Sequence, residues 1–484
     1  MKKFNYPFVA ICTALSCSAA LQAAEWDISK SVDLSATHSD NIELANNNAK
    51  ESDLVFQLRP SLGIAGEGSR LQLDFNYSLG AVFTDGDNDR DEIEDSHFLN
   101  AAATLEAIED NLFVDLEADA GVTSVSSNNV VEDIITRSNN RSQSYSYKIS
   151  PYYLYHFGSA ADVELRYSYD SLENDNGNAS DSEKNQWDFS LTSGRYFRSF
   201  NWVLSASQSE LEYSNSAKDE TSEVNADFQF RINRFFTADF GIGHEENDYQ
   251  NALRQYGDTD GMTWDVGTTW TPNPRTTMKL SYGDRFTGED WAMDLKYRHR
   301  KSTLTASYST TVTSSRTEQL GAISTTSTDI NGETVFIGDQ DLSLNPILPT
   351  LGFENIVQSQ FKLAYQYNSR RSTIGFNTTY SERDYQTQTL STESLSSSVN
   401  ISRKLTPLTS LTGKVSWVTQ DDVSTAASDQ ETLRYSIGVN SSLGQKSRLS
   451  VDYQHTENDT TGGTGLGGND YEEDRISASL AMTF

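Results

Sequence analysis

The chain has 484 residues, of which only 36% are hydrophobic although 11% are aromatic, and 69 acidic against 37 basic side chains give a net charge of −32. A soluble globular chain is about 45–50% apolar, so a single water-soluble core is poorly supplied, while 23 Tyr, 22 Phe and 7 Trp exclude disorder. The acidic balance argues against nucleic acid as a partner, since binding it relies on neutralising phosphates with Lys and Arg.

Residues 1–24 read as a secretory signal peptide: Lys2 and Lys3, the apolar run "FVAICTALSCSAAL", then "LQAAEW" with small residues for cleavage near Ala23 or Ala24. Both cysteines, Cys12 and Cys17, fall inside it, so a mature chain is expected to carry no disulfide or cysteine-metal site. Taking Lys2 and Lys3 from the 37 basic residues leaves 35 against 69 acidic ones, a net charge of −34.

From Trp26 onward, segments of roughly ten residues alternate apolar and polar, the period-two signature of strands. "LQLDFNYSLGAVF" sets Leu71, Leu73, Phe75, Tyr77, Leu79, Ala81 and Phe83 against Gln72, Asp74, Asn76 and Ser78. "LFVDLEADAGV" does the same from Leu112 to Val122, and "FTADFGIG", "MTWDVGTTW" and "WAMDLKY" follow suit. Tight turns at 65–69, 108–111, 156–160, 198–201, 233–235, 271–275 and 444–447 alternate with longer polar loops at 84–96, 123–141, 170–185, 209–222, 244–259, 420–430 and 455–472. Counting the alternation predicts an all-β, transmembrane antiparallel barrel of about 22 strands, within a range of about 18–24, over residues 25–484. Only helices and closed barrels satisfy their backbone groups in hydrocarbon, and a barrel with lipid outside and water inside needs few apolar residues. Aromatics gather beside the short turns at Tyr152, Tyr153, Tyr155 and Phe157, at Tyr196, Phe197, Phe200 and Trp202, and at Phe235, Phe236 and Trp270, as an interfacial girdle would.

One segment breaks the rhythm. Residues 310–356 form a connection far beyond the roughly 15 residues at which loops become functional or disordered. Barrels of this width are plugged, yet strands begin directly after the cleavage site, so no N-terminal plug is expected. Either the lumen is flattened, or this loop folds inward as a constriction, or it forms an external lid. The chain ends in "RISASLAMTF", with Ile476, Ala478, Leu480, Met482 and Phe484 on one face. Leu480, Met482 and Phe484 resemble the C-terminal signal recognised by the outer-membrane assembly machinery.

Two stretches carry a family likeness. "WDISKSVDLSATHSDNIEL", with Asp40-Asn41 closing a first strand, leads into "ESDLVFQLRPSLGIAGEGSRLQLDFNYSL" with Arg59-Pro60 in a second, and "LGFENIVQSQFKLAYQYNSRRSTIGFNTTYSERDYQ" follows the long loop. These resemble the outer-membrane barrels associated with PEP-CTERM/exosortase systems. The resemblance implies residence in a Gram-negative outer membrane and a role tied to exopolysaccharide secretion, with periplasmic export proteins as partners; it transfers no catalytic residues.

The residues themselves suggest little chemistry. Asp74, Asp115, Glu117, Asp119, Asp162 and Glu164 would form a lumen-facing acidic stripe favouring cations, or merely a solvated wall with Arg166, Lys279, Lys296, Lys362 and Lys414 as counter-charges. "DGDNDRDEIEDS" starts like a calcium loop with Asp85, Asp87 and Asp89, but Arg90 replaces the turn glycine and Ser96 the closing glutamate. A weakly held divalent ion is the most it would take, and no other cofactor is expected. No nucleophile elbow, P-loop or HExxH appears. His38 and Asp40 facing His244 and Glu245 across a barrel mouth is the one catalytic arrangement worth testing, and the chain is read as a non-enzyme. Three functions stay open: an exopolysaccharide export channel, a general or cation-preferring porin, and a structural barrel whose acidic loops hold polymer. Lipid and lipopolysaccharide are its expected surroundings.

Overall fold

The computed structural model describes residues 25–84, 94–124, 135–136, 141–175, 180–215, 217–249, 259–324, 326–328, 334–336, 354–385, 391–422, 429–461 and 470–484. The signal segment and Asp85, Asp87 and Asp89 lie outside the described residues.

The wall begins with β1 (Glu25–Ser39), β2 (Asp53–Glu67), β3 (Leu71–Thr84), β4 (Glu94–Ile108), β5 (Leu112–Ser124) and β6 (Arg141–His156). It continues through β7 (Ala161–Asn174), β8 (Ser182–Ser193), β9 (Phe200–Tyr213), β10 (Lys218–Arg231), β11 (Phe236–Tyr249) and β12 (Gly261–Asn273). After β13 (Thr276–Arg285), β14 (Gly288–Arg298) and β15 (Ser302–Ser314) come a helix α1 (Ser315–Ser324) and two short strands, β16 (Thr326–Thr328) and β17 (Thr334–Phe336), paired with each other. The wall resumes with β18 (Asn355–Asn368), β19 (Ser372–Tyr385), β20 (Ser391–Lys404), β21 (Thr409–Asp422), β22 (Asp429–Ser442), β23 (Ser447–Thr461) and β24 (Tyr471–Thr483).

Each wall strand pairs antiparallel with the next, and β24 pairs with β1 from Ser31↔Thr483 to Ser39↔Arg475, closing a 22-stranded barrel. Closure leaves no free edge, which is the condition for crossing hydrocarbon. The register fixes the faces. Leu34, Leu58 and Ala81 share one rung line on the outside, while Ser35, Gln57 and Val82 share the adjacent inner one. Large apolar side chains such as Phe56, Leu204, Ile437 and Val451 stand exposed on the outer surface, where a water-soluble protein would not keep so many. They form the lipid-facing band, and the chain is a transmembrane β-barrel of the outer-membrane type.

Several expectations need correction. Strands run well into the stretches expected as loops: β9 reaches Tyr213 and β10 starts at Lys218, where a loop at 209–222 was predicted. The outward residues there are Glu210, Glu212 and Glu220, because a strand above the bilayer has water on both faces and loses its apolar alternation. Between β13 and β14 the long-loop rim carries a tight turn, closed by Arg285↔Gly288 with Gly288 at φ 98°. That is the left-handed region glycine tolerates best. Tyr152 belongs to no outer girdle; its ring lies under the lumen-side Arg166 guanidinium at 3.9 Å and stacks on Phe113. His38 and His244 stand exposed on strands ten apart, on the outward face set by their neighbours' pairing, so they do not face each other across the mouth.

The two faces should respond differently to charge. Leu204→Arg, outward between Leu191 and Ala226, is expected to cost about 2–4 kcal/mol, as a charge does at mid-bilayer on a lipid face. Ser205→Arg, one residue on and facing the lumen, should cost less than about 1 kcal/mol. Urea titration of the protein folded in vesicles measures both; equal costs would contradict the assigned faces.

Candidate functional site

The lumen is crossed by α1. Its start is dictated locally: "SSRTEQL" holds the spacing Ser315-Arg-Thr-Glu318 of a capping box, although the cap used is one residue earlier. Ser314 Oγ accepts the Thr317 N–H at 3.2 Å. The excursion is tied at its root, where Ser315 N donates to Glu354 O at 3.0 Å and Glu354 N donates to Ser315 Oγ at 3.0 Å.

From that root the helix runs inward on buried polar contacts. Arg316, 4% exposed, donates through Nε to Ser182 Oγ of β8 at 2.8 Å and forms an ion pair with Asp170 of β7. Gln319 donates to Ser144 Oγ of β6 at 2.9 Å and to Asn174 of β7. Ile323 lies on Gly121 of β5, where a Cβ would come within 3.4 Å of its Cγ2. On the other side Glu318 pairs with Arg383 of β19 at 3.1 Å. Six strands, β9 to β14, separate β8 from β15, so the helix is a chord across the lumen rather than a lid above it. Of the alternatives left open for residues 310–356, residues 315–324 take the inward one, while 325, 329–333 and 337–353 lie outside the described residues.

A second chord lies beside it. Asn355 at the start of β18 donates to Asp219 Oδ2 of β10 at 2.8 Å, although five strands separate them along the wall. The contact brings β10 and β18 together at the rim where both strands begin. On β10 to β14 a cavity of about 250 Å³ is lined by Glu223, Asp227, Glu245, Asp265, Asp290 and Arg285, among others. Arg285 neutralises Glu245 at 2.7 Å and the remaining acids outnumber it.

The acidic stripe read from the sequence sits elsewhere, on β3, β5 and β7, and its members have partners. Asp115 takes Arg166 at 2.7 Å, Glu164 takes the same guanidinium at 2.9 Å, Glu117 takes Lys148 at 3.3 Å and Asp162 takes His156 at 2.7 Å. Asp119 accepts from Asn100 at 2.8 Å, and Asp74 accepts from Asn76 at 2.5 Å. Among the described residues, no group of three or more acidic or histidine side chains could hold a metal ion. Leu480 and Met482 face outward on β24, and the Phe484 N–H donates to Lys30 O at 2.9 Å beside a 67% exposed ring.

The opposite wall is sealed by the residues that carry the family likeness. Asn41, fully buried, bonds Ala45 O at 2.8 Å and Glu472 O at 3.0 Å through Nδ2, and its Oδ1 accepts from Ala45 N. That turns the β1–β2 loop so that Ile42 packs on Val55, Val82 and Phe98, while Arg59 stands 5.1 Å from the Phe98 ring centre.

No protein-family model and no curated protein matches the sequence. Solved structures match in fold. The siderophore receptor PirA from Acinetobacter baumannii aligns with a TM-score of 0.56 at 8% identity, over 95% of this chain and 80% of that one. A variant of the ferric enterobactin receptor PfeA from Pseudomonas aeruginosa gives 0.54 at 10% identity, over 94% and 81%. The ferric-catecholate import receptor Fiu from K12 E. coli gives 0.53 at 9% identity, over 94% and 82%. At such identities the likeness is one of barrel architecture.

Two outcomes test the docking of α1. Arg316→Ala removes the ion pair to Asp170 and the hydrogen bond to Ser182 while Lys184 stays beside that carboxylate, which should loosen the helix by about 1.5–3 kcal/mol and expose its amides to hydrogen exchange; unchanged protection would contradict the chord. Burial holds the Glu318 carboxyl above the ordinary carboxylate range, against the pull of Arg383. A raised value means that docking takes up a proton: this stabilisation is full below the ordinary pKa and is lost as pH rises through the raised one. Glu318→Gln should therefore flatten the pH dependence of α1 protection above the ordinary carboxylate range; an unaltered profile would place its origin elsewhere.

Proposed function

We propose that the protein is a gated conduit of the Gram-negative outer membrane, closed at rest by α1 and serving exopolysaccharide export. The observation that carries the gate is the buried set Arg316, Glu318 and Gln319 spanning from β19 to β6, β7 and β8. A hydrated barrel of 22 strands is wide enough to need such an obstruction. An obstruction held by side-chain hydrogen bonds and two ion pairs can leave without unfolding the wall. Those contacts exchange for water in an open lumen, so a binding event worth a few kcal/mol is enough to shift the balance.

The cargo rests on the likeness to PEP-CTERM/exosortase-associated barrels, centred on Asp40-Asn41 and Arg59-Pro60. On this reading the chain is exported through its signal peptide, inserted by the outer-membrane assembly machinery through its C-terminal strand, surrounded by lipopolysaccharide, and opened by a periplasmic export protein. The surplus of acids around the cavity on β10 to β14 favours a second reading, a cation-preferring porin. A surface barrel that holds polymer through divalent ions on its acidic loops would need no lumen at all.

Single-channel recording separates the three. Because Ser315 and Glu354 are bonded, a short Gly-Ser linker can replace residues 316–353 without moving β15 or β18. A silent parent and a conducting deletion variant are expected of the conduit. Steady cation-selective steps in the parent would favour the porin. Silence in both, with folding confirmed by heat-modifiable gel mobility, would leave the structural barrel.

A further inference from the structure

The short-turn rim carries its charge on one side. Seven successive turns join β8 to β9, β10 to β11, β12 to β13, β14 to β15, β18 to β19, β20 to β21 and β22 to β23. With the strand ends that flank them they read "GRYFRS" (194–199), "RINRF" (231–235), "PR" (274–275), "RHRK" (298–301), "SRR" (369–371), "RKLTPL" (403–408) and "LGQKSR" (443–448). These stretches hold fourteen Lys and Arg and no Asp or Glu, in a chain whose net charge is −32. Thirteen of the fourteen are exposed, Arg448 being the exception, and among the described residues those thirteen form no ion pair within the chain. The rest of the rim is different. The β2–β3 and β4–β5 turns set Glu67, Glu106, Glu109 and Asp110 against Arg70, which pairs with Glu109 at 3.4 Å. The β6–β7 turn, 157–160, has no Lys or Arg.

The turns hold these cations at a fixed depth. Outward residues on the last rungs include Phe230, Phe236, Trp270 and Tyr297, all exposed on the wall. Aromatic rings in such a row mark the boundary between hydrocarbon and headgroups. The chain then turns back within a few residues. Ile232 N donates to Phe236 O at 3.1 Å, His299 N to Ser302 O at 2.7 Å and Leu405 N to Thr409 O at 2.9 Å. No long segment carries the cations away into water, so their side chains stay within reach of the phosphate layer. Arg403 is paired with the outward Leu411 and so stands on the lipid side of the wall. Ile232 and Leu405, 66% and 48% exposed, extend the apolar surface to the turn tips.

Like charges crowded on one rim repel, and what offsets them has to come from outside the chain. An anionic headgroup layer draws Lys and Arg that lie near it. Its reach is a Debye length, about 8 Å at physiological ionic strength, so acidic loops beyond a hydrocarbon core of about 30 Å do not oppose it. Eleven of the fourteen cations are Arg, whose planar fork matches phosphate better than an ammonium does.

We propose that the short-turn rim from β8 to β23 is a binding surface for anionic phospholipid headgroups. It gathers such lipids on that side of the barrel and leaves the sector from β1 to β7 to zwitterionic ones. A lipid is favoured over a water-soluble acidic partner because the cations sit among outward aromatics rather than on projecting loops. Neither α1 nor any cargo enters this surface, so it and the conduit proposed above can fail separately.

The test places the full chain in phosphatidylcholine vesicles with trace spin-labelled phosphatidylglycerol or spin-labelled phosphatidylcholine. Electron spin resonance reads the fraction of each label immobilised at the protein surface. Phosphatidylglycerol is expected to be preferred severalfold at low salt, with the preference shrinking at 1 M NaCl, where the Debye length is about 3 Å. Arg234→Gln, Arg300→Gln, Arg371→Gln and Arg403→Gln combined should bring the two labels close to equality, while Arg70→Gln leaves the preference in place. Heat-modifiable gel mobility checks folding. Should the fourfold variant not fold, Arg195→Gln with Arg198→Gln, confined to one turn, is expected to give a smaller drop. Equal immobilisation of the two labels in the parent overturns the proposal, as does a preference that the substitutions leave unchanged. Binding of poly-L-glutamate by a parent that shows no lipid preference would assign the rim to an acidic water-soluble partner, and overturns it too.

Discussion

The backbone's need for hydrogen-bond partners in hydrocarbon governs this molecule. Every amide of a spanning segment must be met within the protein, and 22 strands meet that demand by pairing each with the next and the last with the first. Closure dictates the rest. One face of every strand meets lipid and the other meets water, so apolar residues go outside and polar ones inside, reversing a soluble fold. A chain that is 36% hydrophobic suffices because it has a membrane to cover its apolar face.

A wide ring built this way encloses a large polar space, and the interior chemistry follows from filling it. Helix α1 is docked by Arg316, Glu318 and Gln319, whose partners sit on β7, β8, β19 and β6. Such contacts contribute little net stability, because pairing a buried charge mainly offsets its desolvation. Their role is geometric: each is poorly replaced by any other arrangement of the helix, so docking is specific without being deep. That combination suits an obstruction that has to leave. The Asn355–Asp219 contact and the Asn41-centred loop tie further parts of the interior by the same means.

Much of this was legible in the sequence, and the limits have physical causes. Alternation from Leu71 to Phe83 gave both the strand and its faces, because lipid and water impose opposite demands on neighbouring residues. Where strands rise above the bilayer, as at Glu210–Tyr213 or Glu246–Tyr249, both faces meet water and the pattern vanishes, so extended strand was read as loop. The acidic stripe could be placed on inward faces, but its partners Arg166 and Lys148 lie on β7 and β6, and pairing between strands depends on a register that composition does not encode. Arg316 and Gln319 were missed as site residues for the same reason: their partners lie more than a hundred residues away in sequence. The capping pattern at Ser315–Glu318 was visible and could have announced a helix in the long loop.

The central claim, a lumen closed by a docked helix, is tested most directly by locking that helix. An ideal Cβ on Gly121 would lie 3.6 Å from the Ile323 Cβ, within the range a disulfide spans, and residues 25–484 contain no cysteine to compete. The Gly121→Cys/Ile323→Cys variant should show no channel openings when oxidised. On reduction it should open readily, because the packing of Ile323 is lost and the helix is free to leave. Identical current traces in the two states would contradict the account.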